Sequence, residues 1–102
     1  MVSPYAKDRI NYVLNLIAAK KTDRILNVGI SNIPEIEMVL EKKCKECVSI
    51  DLDKNKLEKA SKFLNKTKLI HSNLIEYSFK DNYFDKVIIL EVLEHLEDDR
   101  LA

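Results

Sequence analysis

The chain contains one glycine, Gly29, and it stands at the end of the apolar run Ile25-Leu26-Asn27-Val28. A short buried strand that stops at a glycine and enters a helix is a demanding arrangement, because the backbone must turn tightly there. The residues that follow carry helix-start chemistry. Asn32 can cap the first turn, Pro34 suits a first-turn position that needs no N–H partner, and Glu35 stands where a capping box places an acid. Strand, tight turn and helix N-terminus together make a natural anion or cofactor site, since free N–H groups and the helix dipole point at the turn. Asp51 follows 22 residues after Gly29, at the end of a second apolar run. An acid at about that separation is where a βαβ nucleoside site places its ribose ligand.

Around this pair the chain alternates helix and strand patterns. Residues 1–22 hold Ile10, Val13, Leu14 and Ile17 at helical spacing after Pro4, which predicts an amphipathic helix. The first strand is Ile25–Val28, followed by a crossover helix from Ile33 to Lys43 with Ile36, Val39 and Leu40 on one face. Val48–Asp51 is the second strand, and Asp53 is placed to cap a helix reaching about Asn65, with Leu57, Ala60, Phe63 and Leu64 as its buried stripe. Lys68–His71 is a third strand, 73–79 a loop or single turn, and Lys86–Leu90 a strongly apolar fourth strand. Glu91 to Asp99 reads as helix. Apolar strands joined by helices predict an α/β sandwich with a buried parallel sheet, one domain over 1–102 whose βαβ core is 23–102.

Composition excludes several classes of function. No apolar run approaches the ~20 residues of a membrane span, and the N-terminus lacks the apolar core of a signal peptide, so a cytoplasmic location is expected. The formal net charge is zero, which leaves no global footprint for nucleic acid. Charge is unevenly placed, with nine lysines against four acids from Lys42 to Lys68 and eight acids against two lysines from Glu76 to Asp99. Two solvated faces of opposite sign are the simpler reading of that pattern, and a partner or substrate steered to one side is the other. Cys44 and Cys47 form a C-x-x-C, but a zinc site needs two further ligands and His71 and His95 lie too far apart to make the usual pair. Cys47 enters a strand rather than opening a helix, and is expected to act as a small hydrophobe.

Four blocks, in order and spacing, resemble the class I S-adenosylmethionine-dependent methyltransferases (methyltransferase type 11-like): Ile25–Gly29, Ser49–Asp53 with Leu57–Ala60, His71–Leu74, and Phe79–Val87 continuing through Glu91–Leu96. The resemblance implies a Rossmann-like methyltransferase sandwich with helices on both faces, here its N-terminal half, with strand order 3-2-1-4. It implies S-adenosyl-L-methionine as cofactor and an unidentified methyl acceptor. Carried over by position, Asn27 is the acid position of the first motif. Gly29 and the backbone of Ile30 and Ser31 lie against the methionine part. Asp51 accepts from both ribose hydroxyls, and Leu52 packs on the adenine. Asn73 accepts from the adenine amino group, the N–H of Leu74 meets a ring nitrogen, and Glu91 borders the sulfonium. No shared catalytic residue is implied, because an activated methyl asks mainly for alignment and exclusion of water.

The chain also departs from the family pattern. Where the first motif has an acid and three glycines, this chain reads Asn27-Val28-Gly29-Ile30-Ser31-Asn32-Ile33. Ser31 and Asn32 can still form the turn, whereas Ile33 stands where close backbone approach is wanted. The alternative to a methyltransferase is therefore a non-catalytic binding or assembly module that has lost the cofactor. A nicotinamide dehydrogenase is disfavoured, since Gly29–Pro34 fails the dinucleotide fingerprint. With four strands of the family's seven, the fourth is expected to present an apolar edge that a second copy, a partner chain or the rest of a longer protein covers. Glu91, Glu94 and His95 share a helix face at i, i+3 and i+4 and are weak metal candidates; no divalent metal is expected, an acidic first turn having a simpler origin in the helix dipole.

Overall fold

The computed structural model describes residues 4–31, 33–72 and 82–89. Among these described residues three helices and four strands follow one another as α1 (Pro4–Ile17), β1 (Arg24–Val28), α2 (Glu35–Lys43), β2 (Glu46–Asp51), α3 (Lys54–Ser61), β3 (Lys68–His71) and β4 (Lys86–Ile89). The strands form one parallel sheet in the order β3-β2-β1-β4. This is the expected order, with the strand sequence reversing between β1 and the edge strand β4. Among the described residues no helix is long and apolar enough to cross a membrane.

Register decides which side chains share a face. Ile25 aligns with Cys47, and Asn27 with both Ser49 and Ile88. Ile25, Cys47 and Ile88 pack with Val13 and Ile17 of α1 and Leu40 of α2. Leu69 aligns with Ser49 on the same face, and it packs with Ile30 and with Leu57 and Ala60 of α3. All three described helices therefore lie on one face. Leu26, Val48, Ile50 and Ile70 form a second cluster on the other face, with Val28 and Phe84 against it. The Glu91–Asp99 helix read from the sequence lies outside the described residues.

The central strands are buried on both faces, as their unbroken apolar runs imply. β4 departs from that expectation. Ile88 is buried under the helices while Val87 and Ile89 are exposed on the opposite face.

Two helix boundaries also differ from the sequence reading, each for a local reason. α2 begins at Glu35, two residues later than expected, and Pro34 is its N-cap residue rather than a first-turn residue. The Glu35 N–H is donated to the Ile33 carbonyl (3.0 Å), a tight turn that keeps Ile33 out of the helix. Asn32 lies outside the described residues. α3 is capped as expected, with the Asp53 carboxylate accepting the Lys56 N–H at 3.1 Å. It ends at Ser61 rather than near Asn65, and Phe63 is 43% exposed instead of completing the buried stripe. The cause is Glu41 of α2. Its buried carboxylate accepts the N–H groups of Asn65, Lys66 and Thr67 at 3.0–3.2 Å and the Thr67 hydroxyl at 2.7 Å. These donors are drawn into a loop and cannot continue the helix.

The N-terminal ends of the strands are fastened by polar contacts. The Asp23 carboxylate accepts from the Lys86 ammonium (2.9 Å) and the Lys20 N–H (2.9 Å). The Lys86 bond, then that of Lys20, hold its carboxyl below the usual range. Asp85 accepts the Arg24 N–H at 2.8 Å and returns its own N–H to the Arg24 carbonyl. Arg24 lies over the Tyr83 ring, 4.7 Å from its centroid, and the Tyr83 hydroxyl donates to Glu46. With this end closed, the C-terminal ends of the strands, where loops of an open α/β sheet gather ligands, are left as the candidate site.

Candidate functional site

Gly29 leaves β1 with φ 93°, a value that costs a residue with a side chain about 1 kcal/mol or more. Its N–H is donated to the Ile50 carbonyl at 2.8 Å, which extends the β1–β2 ladder one step past the strand. The chain then turns inward. Ile30 is buried against Leu57 and Ala60, and this apolar anchor holds the turn down onto α3.

Asp51 meets the turn from β2. One carboxylate oxygen accepts the Ile30 N–H at 2.8 Å, and the other accepts the Asp53 N–H at 2.7 Å. A single carboxylate thus ties the end of β1 to the end of β2 and to the start of α3. Each oxygen of a carboxylate has about two acceptor sites, so each retains room for one more donor. Leu52 follows with its side chain 68% exposed. Its carbonyl is 3.0 Å from Nε2 of His71 at the end of β3, so that nitrogen carries the proton if the pair is bonded. The Ser72 N–H is donated to the Asp51 carbonyl at 3.1 Å. The resulting edge runs from the Gly29 turn through Asp51 and Leu52 to His71, a carboxylate between a polar turn and an exposed apolar side chain.

The structure brings Gly29, Ile30, Asp51 and Leu52 together, with Ser31 half-buried beside them. Asn27 lies elsewhere. Its side chain is wholly buried on the helix-covered face, where Nδ2 donates to Cys47 Sγ (3.2 Å) and Ser49 Oγ (3.5 Å). Asn73, Leu74, Glu91, Glu94 and His95 lie outside the described residues. Among the described residues no group of three His, Cys, Asp or Glu side chains could hold a metal ion.

Two features of the edge escaped the sequence reading. The grip of Asp51 on Ile30 follows from the parallel pairing of Val28 with Ile50, which no spacing within one strand reveals. The approach of His71 to Leu52 follows likewise from the alignment of Asp51 with His71. Ile33 is 56% exposed, so its side chain does not fill the interior of the turn. The two cysteines behave as expected of packing residues. Burial pushes the Cys47 thiol up to about 12, beyond what hydrogen bonds from Thr67 and Asn27 offset, and burial also raises Cys44. Neither supplies a thiolate near neutral pH.

A family model described as "Methyltransferase domain" matches residues 26–102. No curated protein matches the chain. Solved structures do. The YcgJ protein from Bacillus subtilis superimposes with a TM-score of 0.71 at 17% identity, over 81% of this chain and 37% of that one. The N-methyltransferase NodS from Bradyrhizobium japonicum WM9, in complex with S-adenosyl-L-homocysteine, gives 0.67 at 18% identity, over 83% and 44%. A dimethyladenosine transferase from Plasmodium falciparum gives 0.65 at 21% identity, over 85% and 31%. At these identities the likeness is one of fold. The chain spans less than half the length of each of the three.

Proposed function

Because the chain belongs to the methyltransferase domain family, with residues 26–102 matched, we propose that it binds S-adenosyl-L-methionine at the C-terminal edge of β1 and β2 and serves methyl transfer to an acceptor. The observation that carries this is the Asp51 carboxylate, set at the end of β2 and bonded to the turn that ends β1. The residues fit the group. Each Asp51 oxygen holds one backbone N–H and retains acceptor capacity for one hydroxyl of a ribose diol. The exposed Leu52 side chain offers an apolar surface to a purine face. The Gly29–Ser31 turn borders the amino-acid arm, and Asn27 supports the strand from inside rather than touching the ligand. Asn73, Leu74 and Glu91 keep the roles that the family pattern gives their positions.

When bound, the cofactor supplies an activated sulfonium methyl group. The chain's own work is orientation. Asp51 fixes the ribose, Leu52 excludes water from the base, and the turn fixes the arm relative to the sheet. Methyl transfer by the whole protein is part of the proposal, with the acceptor unnamed.

One observation favours the second reading, a methyltransferase-like module without cofactor. Both oxygens of Asp51 are already engaged by the chain itself, so the edge is satisfied without a ligand. Thermal denaturation with S-adenosyl-L-homocysteine separates the two. A ligand at 100 times its Kd stabilises by about 2.7 kcal/mol, which for a chain of this size raises Tm by roughly 10–20 °C. A Tm that stays unchanged up to millimolar ligand favours the module.

A further inference from the structure

The C-terminal turn of α2 and the loop between α3 and β3 meet at the end of the sheet opposite Asp51, and both carry lysines. Glu41 joins them, its carboxylate accepting the N–H groups of Asn65, Lys66 and Thr67 at 3.0 Å. Lys42 and Lys43 stand on the α2 side with Lys45 in the connection to β2, and Lys62 and Lys66 stand on the loop side. The Lys45 N–H is held by the Asp23 carbonyl (2.8 Å) and the Lys66 N–H by Glu41, which fixes the backbone beneath these charges. All five lysines are exposed, and among the described residues none of them is in an ion pair. Glu41 itself is buried and spent on the loop, and Glu46 bonds Tyr83 and pairs with Arg24. The exposed Glu58, one turn before Lys62, is balanced by Lys59 beside it. Phe63, between Lys62 and Lys66 in sequence, is 43% exposed.

We propose that this end of the protein is a docking surface for single-stranded nucleic acid, its phosphates held by the lysines and one base stacked on Phe63. The inference does not rest on the cofactor reading, because the whole length of β2 separates this end from Asp51. The zero net charge of the chain conceals the patch, since acids that balance it gather in residues 76–99. Five ammonium groups on flexible stems, with no arginine fork among them, suit phosphates met as point charges and not bases or carboxylates gripped in pairs. A protein partner calls for an apolar centre, and a membrane surface for several apolar side chains. Among the described residues Phe63 is the one exposed large apolar side chain beside these lysines. A single aromatic ring among cations is what a strand with unstacked bases uses, because every base offers a face to it.

Fluorescence anisotropy with a short labelled single-stranded RNA of mixed sequence tests this on the full chain. Micromolar binding is expected at about 50 mM salt, falling roughly 60-fold at about 200 mM, the slope of about −3 that four or five phosphate contacts give. Lys62→Gln with Lys66→Gln is expected to weaken binding at least about tenfold at the lower salt and to flatten that slope by about 1.4. Lys54→Gln with Lys56→Gln removes the same charge from the other end of α3, and is expected to change the affinity less than about threefold. Phe63→Ala is expected to weaken binding about tenfold with the slope unchanged, since stacking releases no counterions. Every substituted residue is exposed, and Tm recorded for each variant separates lost contacts from a damaged fold. No binding by the wild type at about 100 μM protein and low salt overturns the proposal. Equal losses in the two lysine pairs, which make the attraction a property of the whole chain, overturn it as well. So does an unaltered affinity in Phe63→Ala. Binding to phosphatidylserine vesicles without binding of the RNA overturns it in favour of a lipid surface.

Discussion

Glu41→Ala is expected to lower the unfolding free energy by about 3 kcal/mol or more, the range for removing a buried group that satisfies several donors. The substitution strips partners from three backbone N–H groups and one hydroxyl at once. Those donors lie in the connection between α3 and β3, so β3 is released from the edge of the sheet with them. For a domain of this size the fall in Tm is about 12–24 °C. Glu41→Gln, which keeps one acceptor oxygen, is expected to lose less.

Acid sensitivity gives an independent check on the same residue. Burial pushes the Glu41 carboxyl up, but the bonds from Asn65, Thr67 and Lys66 outweigh it and hold the group below its ordinary value of 4.5. A carboxyl lowered on folding contributes stability that is fully present above 4.5 and is lost as pH falls through the lowered folded value. Denaturant titrations from pH 7 down to pH 3 should therefore show a loss below about 4.5 in the wild type that is smaller in Glu41→Gln. An equal loss in both would place the acid-sensitive group elsewhere.

Asn27→Asp, which restores the acid of the family's first motif, is expected to destabilise rather than improve this chain. The position is fully buried, and Asn27 uses its amide as a donor to Cys47 and Ser49. A carboxylate has no such donor, and it would be desolvated in a core that already holds the buried Glu37. A cost of about 2–4 kcal/mol follows from burying an unpaired charge beside lost hydrogen bonds. Equilibrium unfolding in urea measures it. Equal or greater stability in the variant would mean that the amide is not what these neighbours require.

Much of the fold was legible because the apolar runs that mark the strands are nearly continuous, and because Asp53 and Gly29 punctuate them with local chemistry. The order of the sheet came from the family likeness and not from the runs themselves. What stayed hidden depends on residues distant in sequence. Glu37 and Glu41 sit among lysines on a short helix and look like solvated acids, yet both are buried. Glu41 is buried because its partners arrive 24 to 26 residues later, at a loop whose position no helical periodicity records. Phe63 is exposed for the same reason, since the helix expected to bury it is ended by that carboxylate. At the site, the spacing from Gly29 to Asp51 was visible and the family likeness gave it a meaning. The bond from Ile30 to Asp51 was not visible, because it exists only once β1 and β2 are in register.

The most direct test is calorimetric titration of S-adenosyl-L-homocysteine into the wild type and into Asp51→Ala, with Tm recorded for both proteins. Saturable binding with one site in the wild type is predicted. In Asp51→Ala the affinity is predicted to fall by roughly 30-fold or more, as expected for the loss of about 2 kcal/mol in hydrogen bonds to a charged acceptor. An absence of binding by the wild type at millimolar ligand, or an equal affinity in the folded Asp51→Ala protein, would contradict a cofactor site built on Asp51.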